Sequence, residues 1–371
     1  MGEWKEYRLS DFAEIIKDTY NPDGSNDYAY VGLEHIEQET LRLNSAGVSS
    51  DVTSNKFKFK SKDVLFGKLR PYFRKVVKPQ FDGICSTDIW VFRAKKGFDQ
   101  DFLFYFLANW DFVNTANNAE SGTRMPRADW SFLKDTEWTI PPLPEQKSIA
   151  QILSSLDDKI DLLHRQNKTL EALAETLFRQ WFLPASAGQA GVEEAEEGWE
   201  TGKLGDVIEL VYGKGLKEEI RTGRGFPVVG SSGVVGYHSE FLVECPGVVI
   251  GRKGTLGRVI YLFENFFPID TTYFVKSRVN SEGLFYEYFL LKSLNFEDMN
   301  SDSAVPGLNR DLALSTEIKI APFDKLKQYN NYCASLFEKL KQNNSQIRTL
   351  TRLRDTLLPK LMSGEVGVMH E

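Results

Sequence analysis

Residues 141–182 read PPLPEQKSIAQILSSLDDKIDLLHRQNKTLEALAETLFRQWF, the most regular pattern in the sequence. After the helix-breaking prolines, a seam of mostly apolar positions recurs with alternating spacings of four and three. The seam positions are Ile149, Leu153, Leu156, Ile160, Leu163, Asn167, Leu170, Ala174, Leu177 and Trp181. Pro184 stops the pattern, which predicts one helix over 145–183 that is about 57 Å long at ~1.5 Å per residue.

A second stretch repeats this seam 180 residues later and ends at Ser363-Gly364, which predicts a helix over 323–364. Its seam positions are Tyr329, Cys333, Leu336, Leu340, Asn343, Ile347, Leu350, Arg354, Leu357 and Leu361. Helices this long need something packed along them, so we expect the two to pair antiparallel. Asn167 and Asn343 would then fix the register, as polar seam residues do. The alternative is that each helix packs on its own globular domain.

The sequence before each helix is repeated as well. Residues 4–11 return at 199–206, residues 64–68 at 248–252, residues 87–91 at 271–275, and residues 140–142 at 320–322. The shrinking offset indicates small deletions in the loops of the second copy, which are tolerated at little expense in stability. Each copy combines short apolar runs, glycine turns and one aromatic-rich helix, at 102–110 and 285–294.

The predicted fold is therefore α+β, with two globular domains related by a pseudo-twofold axis and separated by two long antiparallel coiled-coil helices. The predicted boundaries are 1–144 for the first domain, 145–183 for the first helix and 184–198 for a flexible acidic linker. The second domain follows at 199–322, the second helix at 323–364 and a tail at 365–371.

Composition bounds the class of protein. The chain has 371 residues, of which 42% are hydrophobic and 26% charged, as in soluble proteins of two or three domains. No apolar run approaches the ~18 residues of a membrane span, and the charged start MGEWKEYRLSDF does not resemble a signal peptide, so we expect a cytoplasmic protein. Three scattered cysteines and four histidines predict neither disulfides nor a metal site, and the cysteines are expected to be buried, reduced thiols.

Positive charge is concentrated in one part of the first copy. Between Lys56 and Lys96, twelve lysines and arginines stand against three aspartates, although the whole chain carries a net charge of −7. Five glutamates within 184–201 supply most of the negative excess. A basic stretch of this kind indicates a nucleic-acid partner, and the alternative is a solvated surface that keeps the protein soluble.

The motifs of enzymes are incomplete in this sequence. Residues 211–215 contain a Gly-x-Gly, but the Asn/Asp-Pro-Pro-Tyr/Phe motif of methyl transfer is missing. Residues 251–258 read GRKGTLGR, without the Gly-Lys-Ser/Thr that a nucleotide-hydrolysing loop needs. No catalytic residue is predicted, and the glycine loop is expected to bring its cations to a nucleic-acid backbone.

Several stretches resemble one known family. PPLPEQ at 141–146, IAQILSSLDDKI at 149–160 and residues 170–182 resemble the first conserved region of type I restriction-modification specificity subunits. FPVVGSSG at 226–233 and VIGRKGTLG at 249–257 resemble the recognition-domain loops of that family. The second conserved region departs from the first, because residues 324–326 read DKL where residues 144–146 read PEQ.

The resemblance implies a non-catalytic subunit of a type I restriction endonuclease and adenine methyltransferase complex. Each globular domain is then a target recognition domain that reads one half of a bipartite site in double-stranded DNA. The helices set the gap between the half-sites and dock two modification (methyltransferase) subunits. Those subunits use S-adenosylmethionine, restriction (translocase and nuclease) subunits use ATP and Mg2+, and this chain binds no cofactor itself.

Cations at the repeated strand ends are the candidate contacts to phosphates and guanines. They are Lys68, Arg70, Arg74 and Lys75 in the first copy and Arg252, Lys253 and Arg258 in the second. Polar loops further along each copy add Arg124, Arg127, Asn309 and Arg310. The alternative for each of these residues is ordinary surface solubility.

The end of the first helix is more apolar than a two-helix seam requires. Leu177, Phe178, Trp181 and Phe182 are therefore candidates for docking a partner subunit, and the alternative is that they seat on the chain's own globular domain. Two rival functions stay open at this point. One is a coiled-coil protein scaffold that does not bind DNA, and the other is an enzyme with an unrecognised site.

Overall fold

The computed structural model describes residues 3–22, 27–118, 126–183, 198–279, 282–298 and 307–368. The chain forms two compact units. The first contains Met1–Leu163 and Gln346–Glu371, and the second contains His164–Ser345. Each unit therefore includes one globular part together with one half of each long helix. The predicted linker at 184–198 lies outside the described residues except for Gly198.

The globular part of the first unit contains eleven strands in its described residues, in three sheets. The strands are β1 (Lys5–Arg8), β2 (Ala13–Ile16), β3 (Thr19–Tyr20), β4 (Ala29–Val31), β5 (Gly47–Val48), β6 (Lys56–Phe59), β7 (Val64–Gly67), β8 (Val76–Val77), β9 (Gly83–Cys85), β10 (Ile89–Ala94) and β11 (Glu137–Ile140). The helices are α1 (Leu9–Phe12), α2 (Gln100–Ala108), α3 (Trp110–Asn118), α4 (Trp130–Leu133) and the long α5 (Leu143–Phe182). The sheet orders are β1-β11, β2-β10-β7-β8 and β3-β6-β9-β4-β5.

The second unit repeats the first two of these sheets. Its strands are β12 (Glu200–Lys203), β13 (Ile208–Tyr212), β14 (Phe226–Gly230), β15 (Gly233–His238), β16 (Gly247–Gly251), β17 (Val259–Leu262), β18 (Phe267–Pro268), β19 (Thr272–Ser277) and β20 (Glu317–Ile320). Its helices are α6 (Leu204–Val207), α7 (Phe285–Ser293), α8 (Arg310–Leu314) and α9 (Phe323–Met362). The orders β12-β20 and β13-β19-β16-β17 match those of the first unit, whereas the third sheet, β15-β14-β18, differs.

Continuous apolar runs explain the shared four-stranded sheet. Every residue of β7 and of β16 is buried, because each strand lies between two neighbours and is covered on both faces. The aromatic helix α2 contributes seven buried residues to the core beside its sheet, and α7 contributes six. The predicted α+β class with two repeated globular parts is confirmed.

The two long helices follow their predicted seams. Each spans 40 residues, and every predicted seam residue on both is buried or half-buried. In the second unit the amide of Asn343 donates to Asn167 at 2.9 Å, and the rings of Trp181 and Tyr329 lie 6.1 Å apart. Along this contact the residue numbers rise on α5, from Asn167 to Trp181, and fall on α9, from Asn343 to Tyr329. The helices therefore pair antiparallel, as predicted.

Candidate nucleic-acid interface

A pair of loops at the end of β16 gathers the candidate cations of the second unit. The Arg252 N–H donates to the Thr271 carbonyl at 2.8 Å, and the Arg252 carbonyl accepts from the Leu308 N–H at 3.0 Å. Main-chain bonds thereby join the loop after β16 to the loop before α8. We call residues 251–258 with 307–310 the second junction.

One aromatic ring lies close to two arginines beside this junction. The guanidinium carbon of Arg252 lies 5.0 Å from the Tyr212 ring centroid, and that of Arg310 lies 5.3 Å from it. Tyr212 is 46% exposed. Cation–π attraction orients both guanidinium groups, while the only ion pair described for either is between Arg310 and Asp311 at 3.2 Å. The arrangement presents positive charge around an exposed aromatic edge.

The glycine loop of the second junction closes on itself. The Gly251 N–H donates to the Arg258 carbonyl at 2.9 Å, and the Gly257 N–H donates to the Gly251 carbonyl at 3.0 Å. Gly257 has φ of 69°, and a Cβ there would lie 2.4 Å from the Glu297 nitrogen, so this position requires glycine. Lys253 is exposed, and exposed Arg258 donates to the Ser232 carbonyl at 2.8 Å.

Asn309 has a structural task. Its side-chain oxygen accepts hydrogen bonds from the N–H groups of Asp311 and Leu312, at 3.0 and 3.1 Å, and so caps the first turn of α8. Because that oxygen is used by the cap, only the amide NH2 of Asn309 is left for a contact outside the chain.

The first unit builds the same kind of junction. The Lys68 carbonyl accepts from the Ala128 N–H at 2.8 Å, as that of Arg252 does from Leu308, and the Arg70 N–H donates to the Pro126 carbonyl at 2.8 Å. We call residues 68–70 with 126–129 the first junction. Asp129 caps α4 there, in the place that Asn309 holds before α8.

The electrostatics of the first junction differ from those of the second. Arg127 is 52% exposed and donates to Asp88 at 3.0 Å. Burial lowers the pKa of Lys68, and the nearby charges of Arg127 and Lys17 lower it further while Asp88 raises it. The first junction thus has a lysine, an arginine and an aspartate where the second junction has two arginines and a tyrosine. Arg124 lies outside the described residues.

Two predicted cations of the first copy are engaged inside the unit. Arg74 is 2% exposed; its guanidinium donates to the Ala108 carbonyl at 2.6 Å and lies 3.5 Å from Asp355 on α9. The prediction that Arg74 contacts DNA is therefore wrong in this structure, because the loop turns its side chain into the core. The Lys75 ammonium donates to the Leu33 carbonyl at 2.5 Å, and burial lowers its pKa.

The predicted partner-docking residues pack on the second unit's own core. Phe178 is 1% exposed and contacts Tyr286, Phe289 and Tyr329, and Phe182 is also buried. Leu177 and Trp181 are half-buried against the same core. The alternative given for these residues holds, and the docking prediction is wrong for Phe178 and Phe182 because no partner can reach them.

Sequence reasoning missed Tyr212 and misplaced one cysteine. Tyr212 ends β13 immediately before Gly213, and a strand-end aromatic beside a glycine was the available signal. Cys85 and Cys333 are buried as expected, whereas Cys245 is exposed. Among the described residues, no cluster of metal-binding side chains occurs and no helix is long and apolar enough to cross a membrane.

Comparison with known proteins identifies the family. Residues 1–172 and 196–343 match the model of the type I restriction modification DNA specificity domain. The chain belongs to this family. It is 27% identical to the MjaIX type I restriction enzyme specificity subunit of Methanocaldococcus jannaschii, over 74% of this chain and 71% of that protein. It is 22% identical to the HindI specificity subunit of Haemophilus influenzae, over 99% of this chain and 100% of the relative.

A solved structure of the family shares the fold. The type I restriction-modification S subunit from M. genitalium superposes with a TM-score of 0.56 at 21% identity, covering 96% of both chains. The predicted resemblance to type I specificity subunits is confirmed by these matches.

Proposed function

We propose that this specificity subunit reads a bipartite DNA site, with one junction addressing each half-site. The observation that carries this proposal is the repetition of one loop-to-loop architecture in both units, closed by equivalent main-chain bonds to Lys68 and to Arg252. Each copy presents cations at the end of a buried strand, where rigid backbone supports half-buried or exposed side chains. Phosphate contacts would position each unit and base contacts would specify sequence.

The two half-sites should differ in sequence, because the two junctions differ in chemistry. The second junction offers two arginines near Tyr212, one donating to the Asp270 carbonyl and the other paired with Asp311. The remaining N–H groups of each guanidinium suit the acceptor pair of guanine or a phosphate. The first junction offers Lys68 and Arg127 with the carboxylate of Asp88, which can accept a hydrogen bond from a cytosine amino group. In this proposal the chain therefore recognises two different half-site sequences.

The proposal assigns the long helices two further tasks, which are to set the unread gap and to dock two modification subunits. Each helix of 40 residues is about 60 Å long at ~1.5 Å per residue. Exposed apolar side chains away from the seam support docking. Ile152 and Leu353 are exposed in the first unit, and Tyr332 and Leu173 hold the matching repeat positions in the second.

Catalysis belongs to other subunits in this proposal. Modification subunits would bind S-adenosylmethionine and methylate adenine, and restriction subunits would use ATP and Mg2+ for translocation and cleavage. The incomplete methyl-transfer and nucleotide motifs of this chain support that division.

The decisive experiment exchanges one recognition unit. The chain would be assembled with its modification subunits, and methylated sites would be mapped in a genome that carries the complex. Replacing residues 199–322 by the corresponding domain of a relative should change one half-site and leave the other half-site and the gap unchanged. An unchanged methylated sequence would refute the proposal and favour a scaffold that does not bind DNA.

A further inference from the structure

The 180-residue repeat of α5 and α9 changes polarity at a few positions along their contact. Most paired positions are apolar on both helices, such as Ile160 and Leu340. Four pairs depart from this: Leu163 corresponds to Asn343, Asn167 to Ile347, Ala174 to Arg354, and Asp157 to Phe337. In each of these pairs one helix carries a polar side chain and the other carries an apolar one.

Two of these polar residues, Asn167 and Asn343, lie opposite each other in the second unit and form what we call the amide layer. Asn343 is fully buried and donates to the Asn167 oxygen at 2.9 Å, and the Asn167 amide donates to Asn344 at 2.8 Å. In a pair of two α5 helices with this register, Asn167 would face Leu163 of the second copy. In a pair of two α9 helices, Asn343 would face Ile347. Each arrangement sets the seam amide against an apolar side chain and so removes the hydrogen bond between Asn167 and Asn343, which is unfavourable.

The other two, Asp157 and Arg354, form an ion pair in the first unit, which we call the charge layer. Arg354 is 1% exposed, and its guanidinium donates to Asp157 at 2.8 Å and to Asp355 at 3.0 Å. Two α9 helices would place Arg354 opposite Phe337, which in this chain packs among the rings of Tyr261 and Phe285. Two α5 helices would place Asp157 opposite Ala174. Arg354 would then keep only Asp355, on its own helix, and Asp157 would lose its arginine. Losing the partner across a buried ion pair is destabilising.

We infer that these layers make helix pairing selective, so that α5 accepts α9 and rejects a second copy of itself. Each mismatch would occur twice in a symmetric pair of like helices, because both copies contribute it. The seam is therefore an interaction surface whose fitting partner is a helix with the complementary polar pattern. A segment carrying one recognition domain and one helix should associate with the complementary segment and not with its own kind. This inference does not depend on DNA binding.

The test uses the full chain, cut after folding. A protease site inserted within residues 184–197 would divide the folded chain into an N-terminal and a C-terminal segment. Isotope-labelled and unlabelled preparations would be mixed, unfolded in urea, refolded together and examined by native mass spectrometry. We expect pairs of one N-terminal and one C-terminal segment to exceed pairs of identical segments by tenfold or more, about the ratio expected when buried polar contacts are lost. Unlike pairs in which one segment is labelled and the other is not show that the segments exchanged partners.

A variant that replaces both asparagines of the seam with apolar residues should lose this selectivity. Asn167→Ile with Asn343→Leu gives each position the residue that the other helix carries at the repeat position, and should raise the fraction of like pairs severalfold. Leu170→Ile with Leu350→Ile is the matched control on the seam and should leave the ratio unchanged.

Three results would overturn the inference: like pairs as abundant as unlike pairs in the unaltered chain, failure of unlike segments to reassemble, or no change in the variant. If the variant does not fold, the ratio in the unaltered chain decides.

Discussion

The guanidinium of Arg354 on α9 donates a 2.8 Å hydrogen bond to the carboxylate of Asp157 on α5. The other Asp157 oxygen accepts from the Tyr105 hydroxyl at 2.7 Å, and Arg354 also donates to the Thr40 carbonyl at 3.1 Å. One buried ion pair therefore fastens both helices to the globular part of the first unit. The second unit has Phe337 and Ala174 at the corresponding positions.

Breaking this pair should destabilise the protein. Asp157→Ala or Arg354→Ala should each lower the free energy of unfolding by about 3–5 kcal/mol, because each change removes one member of a largely buried ion pair. The double variant should lose less than the sum of the two. Urea denaturation followed by circular dichroism measures the effect, with exposed Asp158→Ala as the control. Additive losses would show that the two residues act independently.

The second junction should contribute directly to DNA affinity. Arg252→Ala should weaken specific binding by about 1–3 kcal/mol where Arg252 reads a base, or lower the salt slope by about 1 where it contacts phosphate. Arg310→Ala should change the same quantity in the same direction. Fluorescence anisotropy of the assembled complex across a salt series separates the two cases. Lys327→Ala on α9 removes an exposed charge elsewhere and should change neither quantity. Unaltered affinity in both arginine variants would remove the second junction from the interface.

Cations in and beside the first junction should have two different roles, DNA recognition and stabilisation of the core, which the sequence alone did not distinguish. Lys68→Ala and Arg127→Ala should change recognition of one half-site while leaving the thermal unfolding midpoint nearly unchanged, because both side chains are partly exposed. Arg74→Ala should instead lower that midpoint, because it removes a buried guanidinium that bonds to Ala108 and contacts Asp355. Methylation mapping and differential scanning fluorimetry measure the two effects. A stable Arg74→Ala protein with altered half-site recognition would reverse the assignment.

The three thiols should differ in reactivity. Burial raises the pKa of Cys85 to about 12 and that of Cys333 to about 11, so neither forms appreciable thiolate at pH 8, and neither is accessible. A thiol reagent should therefore label only Cys245 in the folded chain and all three cysteines in denaturant. The Cys245→Ser protein should not react until it unfolds. Rapid labelling of a second cysteine in the native state would contradict the buried placement.

Lengthening both helices tests their proposed task of setting the gap. Asn167 faces Asn343, so seven residues inserted directly after Asn167 and directly before Asn343 add one heptad opposite another. Both half-sites should persist while the unread gap increases. The methylated sequence reports this directly, and insertion into α5 alone is the control that should abolish methylation. New half-sites with the old gap would contradict the proposal.

Periodic features were predictable from the sequence and side-chain direction was not. The repeat and both seams follow from spacing, and Asn167 meets Asn343 as the pattern predicts, because a continuous helix fixes which residues share a face. Arg74 shows the limit. Its loop has φ of 47° at that residue, and nothing in a run of cations reveals that the chain turns one of them inward. Likewise, the aromatic end of α5 reads as an exposed surface until the core that covers Phe178 is known.

The main-chain closure of the two junctions has a consequence for how such a protein acquires new targets. Lys68 and Arg252 are tied in place through their carbonyl oxygens, and the cap of α4 or α8 needs only a short polar side chain. Apart from positions that require glycine, such as Gly257, the backbone of each junction therefore does not depend on the identity of its exposed side chains. Under the proposed function, substitutions at the exposed positions would change the DNA sequence that is recognised while the backbone folds as before. Specificity in such an architecture would then be able to diverge faster than structure.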